Sequence, residues 1–270
     1  MRTLYVSDLD GTLLRSDETI SEYTCQVVNM LVKKGMIFSY ATARSYHTAQ
    51  KVTQGLNAQI PIIIYNGTMI KDNQTGKILL SHFFDQGVHE LIDDLIVHHI
   101  YPIVYSILDG EEKFSYVEGK CSQGTMHFIQ SRKGDIRSNP VNHINDLYKG
   151  NKFYITCIDD KDKLEPLYHK YKDRFRCLFQ KDFYSGEQWL EFLPREASKS
   201  NAIMKLKDYL QCDKVIVFGD GKNDIDMFEK ADECYAVENA VEELKEIATD
   251  VIGHHDEDAV VKWLEENYGE

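Results

Sequence analysis

The sequence predicts an α/β protein with a parallel β-sheet, interrupted by an inserted α+β unit. Three observations support this prediction. Short apolar strands alternate with amphipathic helices as far as Tyr65, which is typical of parallel sheets joined by right-handed crossovers. Hairpin signals replace the alternation in the middle of the chain. The alternation of strands and helices then returns after the apolar segment that ends at Leu193.

The first part of the chain has the pattern of a buried parallel sheet. Apolar residues at helical spacing lie between strand-like runs, and serine caps and a glycine stop mark the helix ends. The third strand is apolar throughout, which indicates burial on both faces. The predicted elements are a strand at 4–6, a helix that Ser21 caps and Gly35 ends, a strand at 36–41, a helix from Ser45 to Val52, and a strand at 60–65.

The middle of the chain changes to hairpins. Two turn signals, at 72–76 and at Asp109-Gly110, each separate short strands. We predict helices at 88–98 and 163–172, and strands at 101–107, 113–117, 153–158 and 175–180. We therefore assign 84–186 to an inserted domain, whose length of about 100 residues is ordinary for a domain.

The last part returns to the first style and completes the core domain, which we assign to 1–83 and 187–270. Its strongest strand signal is the apolar run Val215–Phe218. The other predicted elements are helices at 201–210, 225–231, 241–248 and 259–266, and strands at 234–237 and 250–252.

Composition limits the possible partners. The chain has 270 residues, with 31 Lys and Arg against 44 Asp and Glu, and a formal net charge of -13. Sequence-independent nucleic-acid binding needs a basic surface, so we expect no nucleic-acid partner. An anionic substrate would be repelled by the overall field, and a phosphate site must therefore supply its own local cations.

The sequence also predicts a cytoplasmic location. Its six cysteines form no CxxC pair, which favours reduced thiols over zinc ligands or disulfides. The first strand begins at once, leaving no room for a signal peptide. The longest apolar run, at 60–65, is far shorter than the ~20 residues that span a membrane. We expect no membrane association and a monomer or homodimer.

The most informative motif is Asp8-Leu9-Asp10-Gly11-Thr12, directly after the first strand. Two unpaired carboxylates at the end of a buried strand are too costly to serve packing. Asp8 suits a nucleophile that attacks phosphorus and forms an aspartyl-phosphate. Asp10 suits the acid that protonates the leaving oxygen and then the base that activates water. The alternative is an ordinary Asp/Gly surface turn.

Three more segments follow predicted strands or begin a helix. We predict that Asp220 is a metal ligand and that Asn223 and Asp224 orient this carboxylate and the waters around it. Lys199 and the start of its helix suit an anion, although a solvated surface lysine is the alternative. Thr42 ends the second strand, and its hydroxyl suits a phosphate oxygen.

Charge connects these segments. Ionised Asp8, Asp220 and Asp224 together with a phosphate dianion carry about five negative charges, and like charges 4 Å apart repel by roughly 4 kcal/mol at an effective dielectric near 20. A divalent cation and Lys199 would remove three of them. We therefore expect an obligatory divalent ion, and Mg²⁺ best matches carboxylate, water and phosphate oxygens.

Taken together, these motifs resemble the haloacid dehalogenase superfamily. Asp8-Leu9-Asp10-Gly11-Thr12, Thr42, Lys199 and the Gly219-Asp220-x-x-Asn223-Asp224 run come in that family's order, and the insertion and Asn66-Gly67 are similar to its Cof-like branch. The resemblance implies a Rossmann-like core with a mobile cap and a Mg²⁺-dependent phosphatase. It also implies that Asp8, the Asp10 carbonyl and Asp220 bind the metal, and that Thr42, Ala43, Lys199 and Asn223 contact phosphate or substrate.

The sequence departs from that pattern where branch members usually have glycine, at Ala43, Glu196 and Ser200. We still expect hydrolysis of small phosphorylated metabolites such as sugar phosphates. A phosphomutase that passes the phosphoryl group to a second hydroxyl is an alternative. The other alternative is a non-catalytic sensor of a phosphometabolite, which would need no nucleophile.

Overall fold

The computed structural model describes residues 1–181 and 186–268. Contacts between residues divide the chain into two compact units: one contains Met1–Ser81 and Ser198–Glu270, and the other contains His82–Ala197. The first unit is therefore discontinuous in sequence. Each unit has its own β-sheet.

The described part of the first unit forms an eight-stranded sheet in the order β14-β13-β12-β1-β2-β3-β4-β5. The first six of these strands run parallel, whereas β4 and β5 extend the edge as an antiparallel hairpin. The predicted parallel-sheet fold class is confirmed. The strands are β1 (Thr3–Ser7), β2 (Ile37–Ala41), β3 (Pro61–Ile64), β4 (Met69–Asp72), β5 (Ile78–Ser81), β12 (Lys214–Gly219), β13 (Glu233–Ala236) and β14 (Asp250–Val251).

The helices of this unit are α1 (Glu22–Lys33), α2 (Tyr46–Val52), α6 (Lys199–Tyr209), α7 (Ile225–Phe228), α8 (Glu242–Lys245) and α9 (Ala259–Asn267). Two predicted caps are confirmed, because the hydroxyl oxygens of Ser21 and Ser45 accept hydrogen bonds from Thr24 and Thr48 N–H. The helices predicted at 225–231 and 241–248 are single turns instead. Beyond them, Asp232 N–H donates to Val215 O of β12 and Thr249 N–H donates to Cys234 O of β13.

The second unit contains a six-stranded sheet among its described residues, in the order β10-β11-β9-β6-β7-β8. All its strand pairs are antiparallel except β7 with β8. Its strands are β6 (Ile103–Leu108), β7 (Glu111–Val117), β8 (Ser138–Val141), β9 (Asn151–Ile158), β10 (Arg176–Lys181) and β11 (Gln188–Leu193). Its helices are α3 (Val88–Val97), α4 (Gln123–Ser131) and α5 (Lys161–Tyr171).

The core of the second unit lies between one face of this sheet and helices α3 and α5. Leu91 and Leu95 of α3 and Leu164 of α5 pack there with strand residues such as Ile155 and Phe192. The sequence prediction ended this unit at 186, whereas the unit extends to Ala197. The difference arises because β11 pairs with β10 and β9 of the second sheet.

The structure bears out the expectation that the cysteines form no disulfide. All six cysteines lie within the described ranges and are free thiols. Within those ranges, the helices are too short or too polar for any of them to cross a bilayer.

The turn after β3 locks two parts of the first unit together. Gly67 has φ +90°, and a Cβ atom there would lie 2.0 Å from the carbonyl oxygen of Ser198, which precedes α6. Only glycine combines that backbone angle with so close an approach. The turn also binds the end of β2, since Asn66 N–H donates to Thr42 O at 3.0 Å.

We expect Gly67→Ala to lower the free energy of unfolding by about 3 kcal/mol, because it adds backbone strain to overpacking. Gly110→Ala is the matched control: its φ is +85°, and no atom lies within 4 Å of the added Cβ. Gly110→Ala should lower the free energy of unfolding by only about 1 kcal/mol. Urea unfolding of both variants measures the difference, and equal losses would contradict the role of the Ser198 contact.

Candidate active site

The site begins where three parallel strands end. Asp8 follows β1, Thr42 follows β2 and Asp220 follows β12. Strand β1 lies between the other two. On one side of β1 the order continues through β2 and β3, and on the other through β12, β13 and β14. Ligands of open α/β sheets bind at the carboxyl ends of the strands at such a switch point.

Lys199 joins two of the acidic residues. Its Nζ lies 2.6 Å from Asp8 Oδ1 and 2.7 Å from Asp224 Oδ1. The Lys199 side chain is 1% exposed, and those of Asp8 and Asp224 are 7% and 0% exposed. Lys199 is thus a buried cation between two carboxylates and not the solvated surface charge of the alternative reading.

Asp224 is fixed from both sides. Its Oδ1 accepts a hydrogen bond from Lys199 Nζ. Its Oδ2 accepts hydrogen bonds from the backbone N–H groups of Asp220 at 3.1 Å and Gly221 at 3.0 Å. Both oxygens are therefore engaged by donors of the protein itself. This arrangement ties Lys199 to the loop that follows β12.

Asp220 is held against the loop that follows β1. Its Oδ1 accepts the Thr12 hydroxyl at 2.9 Å. A Cβ at Gly11, where φ is +77°, would lie 2.5 Å from Asp220 Oδ2, so glycine is required for this approach. Asp8, Asp220 and Asp224 each place a carboxylate oxygen within 4.8 Å of the others.

Burial and neighbouring charges shift the pKa values of Asp8, Asp220 and Lys199. Burial raises the pKa of Asp8 well above its usual range; Lys199 opposes this shift, while Asp224 and Asp220 add to it. Burial, followed by the charge of Asp224, raises the pKa of Asp220 to about 6. Burial alone would lower the pKa of Lys199, but Asp224 and Asp8 raise it above its usual value. Burial and mutual repulsion therefore disfavour the ionised forms of Asp8 and Asp220 when Lys199 is the cation beside them.

The remaining predicted residues are placed differently. Thr42 is fully buried, and its hydroxyl oxygen accepts from Arg44 N–H at 3.1 Å, which leaves the hydroxyl hydrogen available to an anion. Ala43 and Asn223 are exposed. Ser200, at one of the positions where glycine was expected, is buried, and its hydroxyl lies 3.1 Å from that of Ser198.

The Asp10 side chain does not join the carboxylate cluster. Arg44 Nε donates to both of its oxygens, at 3.0 and 2.9 Å, and Arg44 Nη2 lies 2.5 Å from Oδ1. Arg44 also binds Glu18 at 2.7 Å. The Asp10 side chain is 46% exposed.

Sequence reasoning did not assign Arg44, Thr12 or Asn239 to the site. Asn239 Nδ2 donates to Gly11 O at 2.8 Å and so supports the loop that carries Asp8 and Asp10. Arg44 lies two residues after Thr42 and Thr12 belongs to the first motif, so both carried a local signal. Asn239 lies 228 residues from Gly11, and no local pattern indicates that contact.

Comparison with known proteins identifies the family. The family model described as haloacid dehalogenase-like hydrolase matches residues 5–264. The chain belongs to this family, which confirms the resemblance noted from the motifs and the predicted enzyme class, a hydrolase of the haloacid dehalogenase type.

Individual relatives agree with this assignment. The 5-amino-6-(5-phospho-D-ribitylamino)uracil phosphatase YwtE of Bacillus subtilis is 31% identical, and the match covers 96% of each chain. The phosphatase YitU of the same organism, named for the same compound, is 25% identical over 98% of this chain and 97% of its own. The crystal structure of TM0651 from Thermotoga maritima has the same fold, with a TM-score of 0.82 and 24% identity over 100% of this chain and 99% of its own.

Proposed function

We propose that this protein is a Mg²⁺-dependent phosphatase that hydrolyses small phosphorylated metabolites through an aspartyl-phosphate on Asp8. The observation that carries the proposal is the buried Lys199, which bridges Asp8 and Asp224 beside Asp220. A buried nucleophile held by a cation at the end of the central strand suits attack on an anionic phosphorus centre.

The donor set fits a divalent cation. Three carboxylates face one ammonium group, which leaves two negative charges when all are ionised, and hard oxygen ligands suit Mg²⁺. Asp224 already accepts three donors, Lys199 Nζ and two backbone N–H groups. We therefore assign the ion to Asp8 and Asp220, with the Asp10 carbonyl as the third ligand. Bound Mg²⁺ would neutralise charge on the carboxylates and on the substrate's phosphoryl group.

The chemistry of the residues takes two steps. A carboxylate oxygen of Asp8 attacks phosphorus, the bond from phosphorus to the ester oxygen breaks, and Asp10 gives its proton to the departing alcohol. Water then attacks phosphorus and gives a proton to Asp10, which releases inorganic phosphate and restores Asp8. The Thr42 hydroxyl and Lys199 hold the phosphoryl oxygens throughout, and Ala43 and Asn223 contact the phosphate or substrate at the exposed side of the site.

Arg44 adds a condition to this scheme. It occupies both oxygens of Asp10, so proton transfer requires the Asp10 side chain to turn away from Arg44. We propose that the second unit acts as a cap that excludes bulk water and selects the substrate. We also propose that the protein works in the cytoplasm.

The test is phosphate release from a panel of phosphorylated metabolites by the full-length protein. The panel should include sugar phosphates and the phosphorylated ribitylaminouracil for which the two Bacillus relatives are named. We expect EDTA to abolish turnover and added Mg²⁺ to restore it, because the carboxylates otherwise repel the substrate. Equal rates with and without EDTA would refute the metal requirement, and isomerised product without phosphate release would indicate a phosphomutase.

A further inference from the structure

A second group of metal-ligand side chains lies in the first unit, in the loop before α9. His254, His255 and Asp256 each place one ligand atom within 4.8 Å of the others. Asp256 Oδ2 lies 3.8 Å from His254 Nδ1 and 3.9 Å from His255 Nε2. His254 Nδ1 accepts a hydrogen bond from Asp256 N–H at 3.3 Å, which an ion bound at this nitrogen would replace. None of these residues belongs to the carboxylate cluster around Lys199.

His255 is oriented as a ligand would be. Its Nδ1 lies 2.7 Å from the carbonyl oxygen of Leu14, which can only accept, so Nδ1 carries a hydrogen. In the neutral ring, this leaves a lone pair on Nε2. A histidine that donates one ring N–H to a carbonyl and presents the other nitrogen is the usual arrangement at metal sites. The residue is 8% exposed, so its ring is fixed by packing.

The Ser16 hydroxyl does not donate to the lone pair of His255 Nε2. Ser16 Oγ lies 3.4 Å from His255 Nε2, but it donates its hydrogen to Asp256 Oδ2 at 2.7 Å. Ser16 N–H donates to Asp256 Oδ1, also at 2.7 Å. The two Ser16 donors thus hold the Asp256 carboxylate beside His255 Nε2. This nitrogen therefore faces the Asp256 carboxylate and the Ser16 hydroxyl oxygen, whose hydrogen points to Asp256.

The dimensions suit a small cation. Bonds of about 2.1 Å in a tetrahedral site separate the ligand atoms by about 3.4 Å. The distances of 3.8 and 3.9 Å from Asp256 Oδ2 to the two rings therefore need to close by only about 0.5 Å, and the ring nitrogens lie within 4.8 Å of each other. The side chains of His254 and Asp256 are 36% and 42% exposed, which lets an ion enter and water complete its coordination. Two imidazoles with one carboxylate favour Zn²⁺, Ni²⁺ or Cu²⁺ over Mg²⁺.

We propose that His254, His255 and Asp256 form a second cation site, selective for Zn²⁺ and similar transition metals. The site is joined to the loop after β1 by Leu14 and Ser16, and by Asn239, whose Oδ1 accepts from His255 N–H at 3.2 Å. Asn239 also binds Gly11 O. An ion there would fasten the loop before α9 to the loop that carries Asp8, and so stabilise the first unit.

Isothermal titration of the full-length protein with ZnCl₂, in saturating Mg²⁺, tests the proposal. We expect one Zn²⁺ per chain and at least tenfold weaker binding in His254→Ala and Asp256→Asn. His143→Ala, which removes an exposed histidine of the second unit, is the matched control and should bind Zn²⁺ as the unaltered protein does. Substitution with Co²⁺ should give visible absorption bands that the first two variants lose.

Thermal unfolding supplies an independent readout. Zn²⁺ should raise the Tm of the unaltered protein and of His143→Ala, but not that of His254→Ala, because only a ligand that binds the folded state stabilises it. The same melts without metal show whether the variants fold. Zn²⁺ binding that is unchanged in both cluster variants, or no binding by the unaltered protein, would overturn the proposal. Neither result depends on phosphatase turnover.

Discussion

Asp8→Asn is expected to lower kcat by at least about 10³-fold, the order of loss that follows removal of a nucleophile. An amide oxygen cannot form the acyl-phosphate, and it carries no charge to attract a divalent ion. The fold should survive. Burial and the neighbouring acids raise the pKa of Asp8, so a neutral side chain relieves a crowded group of anions, and Lys199 keeps its contact with Asp224.

The measurement combines phosphate release with thermal unfolding of the same preparation. Asp250→Asn is the matched control, because it makes the same chemical change at an exposed carboxylate at the start of β14. That control should keep its rate within about twofold, as surface substitutions away from a site usually have small effects. A rate near that of the unaltered protein in Asp8→Asn would refute the nucleophile assignment, whatever its stability.

The parts of the site that sequence predicts are those set by local rules. Asp8 and Asp220 directly follow apolar runs, and the carboxyl ends of parallel strands meet at one edge of the sheet. Ser45 caps its helix because a hydroxyl before an amphipathic segment satisfies free N–H groups, wherever the helix later packs. These placements need only the neighbouring residues, so a single sequence contains them.

The parts that sequence did not predict depend on distant contacts. The pairing of Asp10 with Arg44 depends on two loops meeting after different strands. The sequence assigns the segment 188–193 to the core domain, whereas it forms a strand of the second sheet. The pattern of apolar residues predicts a strand but does not identify the strand with which it pairs. The sequence also does not predict helix α4, because its first residues, Gln-Gly-Thr-Met-His, include a glycine and a single apolar side chain.

Lys199→Met is expected to lower the free energy of unfolding by about 3–5 kcal/mol in the absence of divalent ions, because it leaves buried carboxylates without their cation. Lys207→Met is the matched control. It lies in the same helix, and its Nζ is 3.5 Å from an Asp232 carboxylate that is 46% exposed. A pair at this distance with its carboxylate open to solvent contributes only about 0–1 kcal/mol.

The loss should depend on pH in a defined direction. The raised pKa of Lys199 keeps it charged through the neutral range, so it does not titrate between pH 5 and 8. The pKa values of Asp8 and Asp220 are raised in the folded protein, to about 6 for Asp220. A protein whose carboxyls bind protons more tightly in the folded than in the unfolded state loses stability as the pH rises. Lys199 lowers the pKa of both carboxyls, so without it they bind protons still more tightly in the folded state. The difference in stability between Lys199→Met and the unaltered protein should therefore widen from pH 5 to pH 8.

A second variant separates charge repulsion from simple loss of packing. If Asp224 without its cation causes the damage, Lys199→Met combined with Asp224→Asn should be more stable than Lys199→Met alone, since one buried anion is gone. Added Mg²⁺ should narrow the loss in Lys199→Met for the same reason, because it binds the folded carboxylates. If the loss is equal at pH 5 and pH 8 and unaffected by Asp224→Asn, the lysine acts as a space-filling side chain, and the charge argument for a divalent ion beside Asp8 loses its main support.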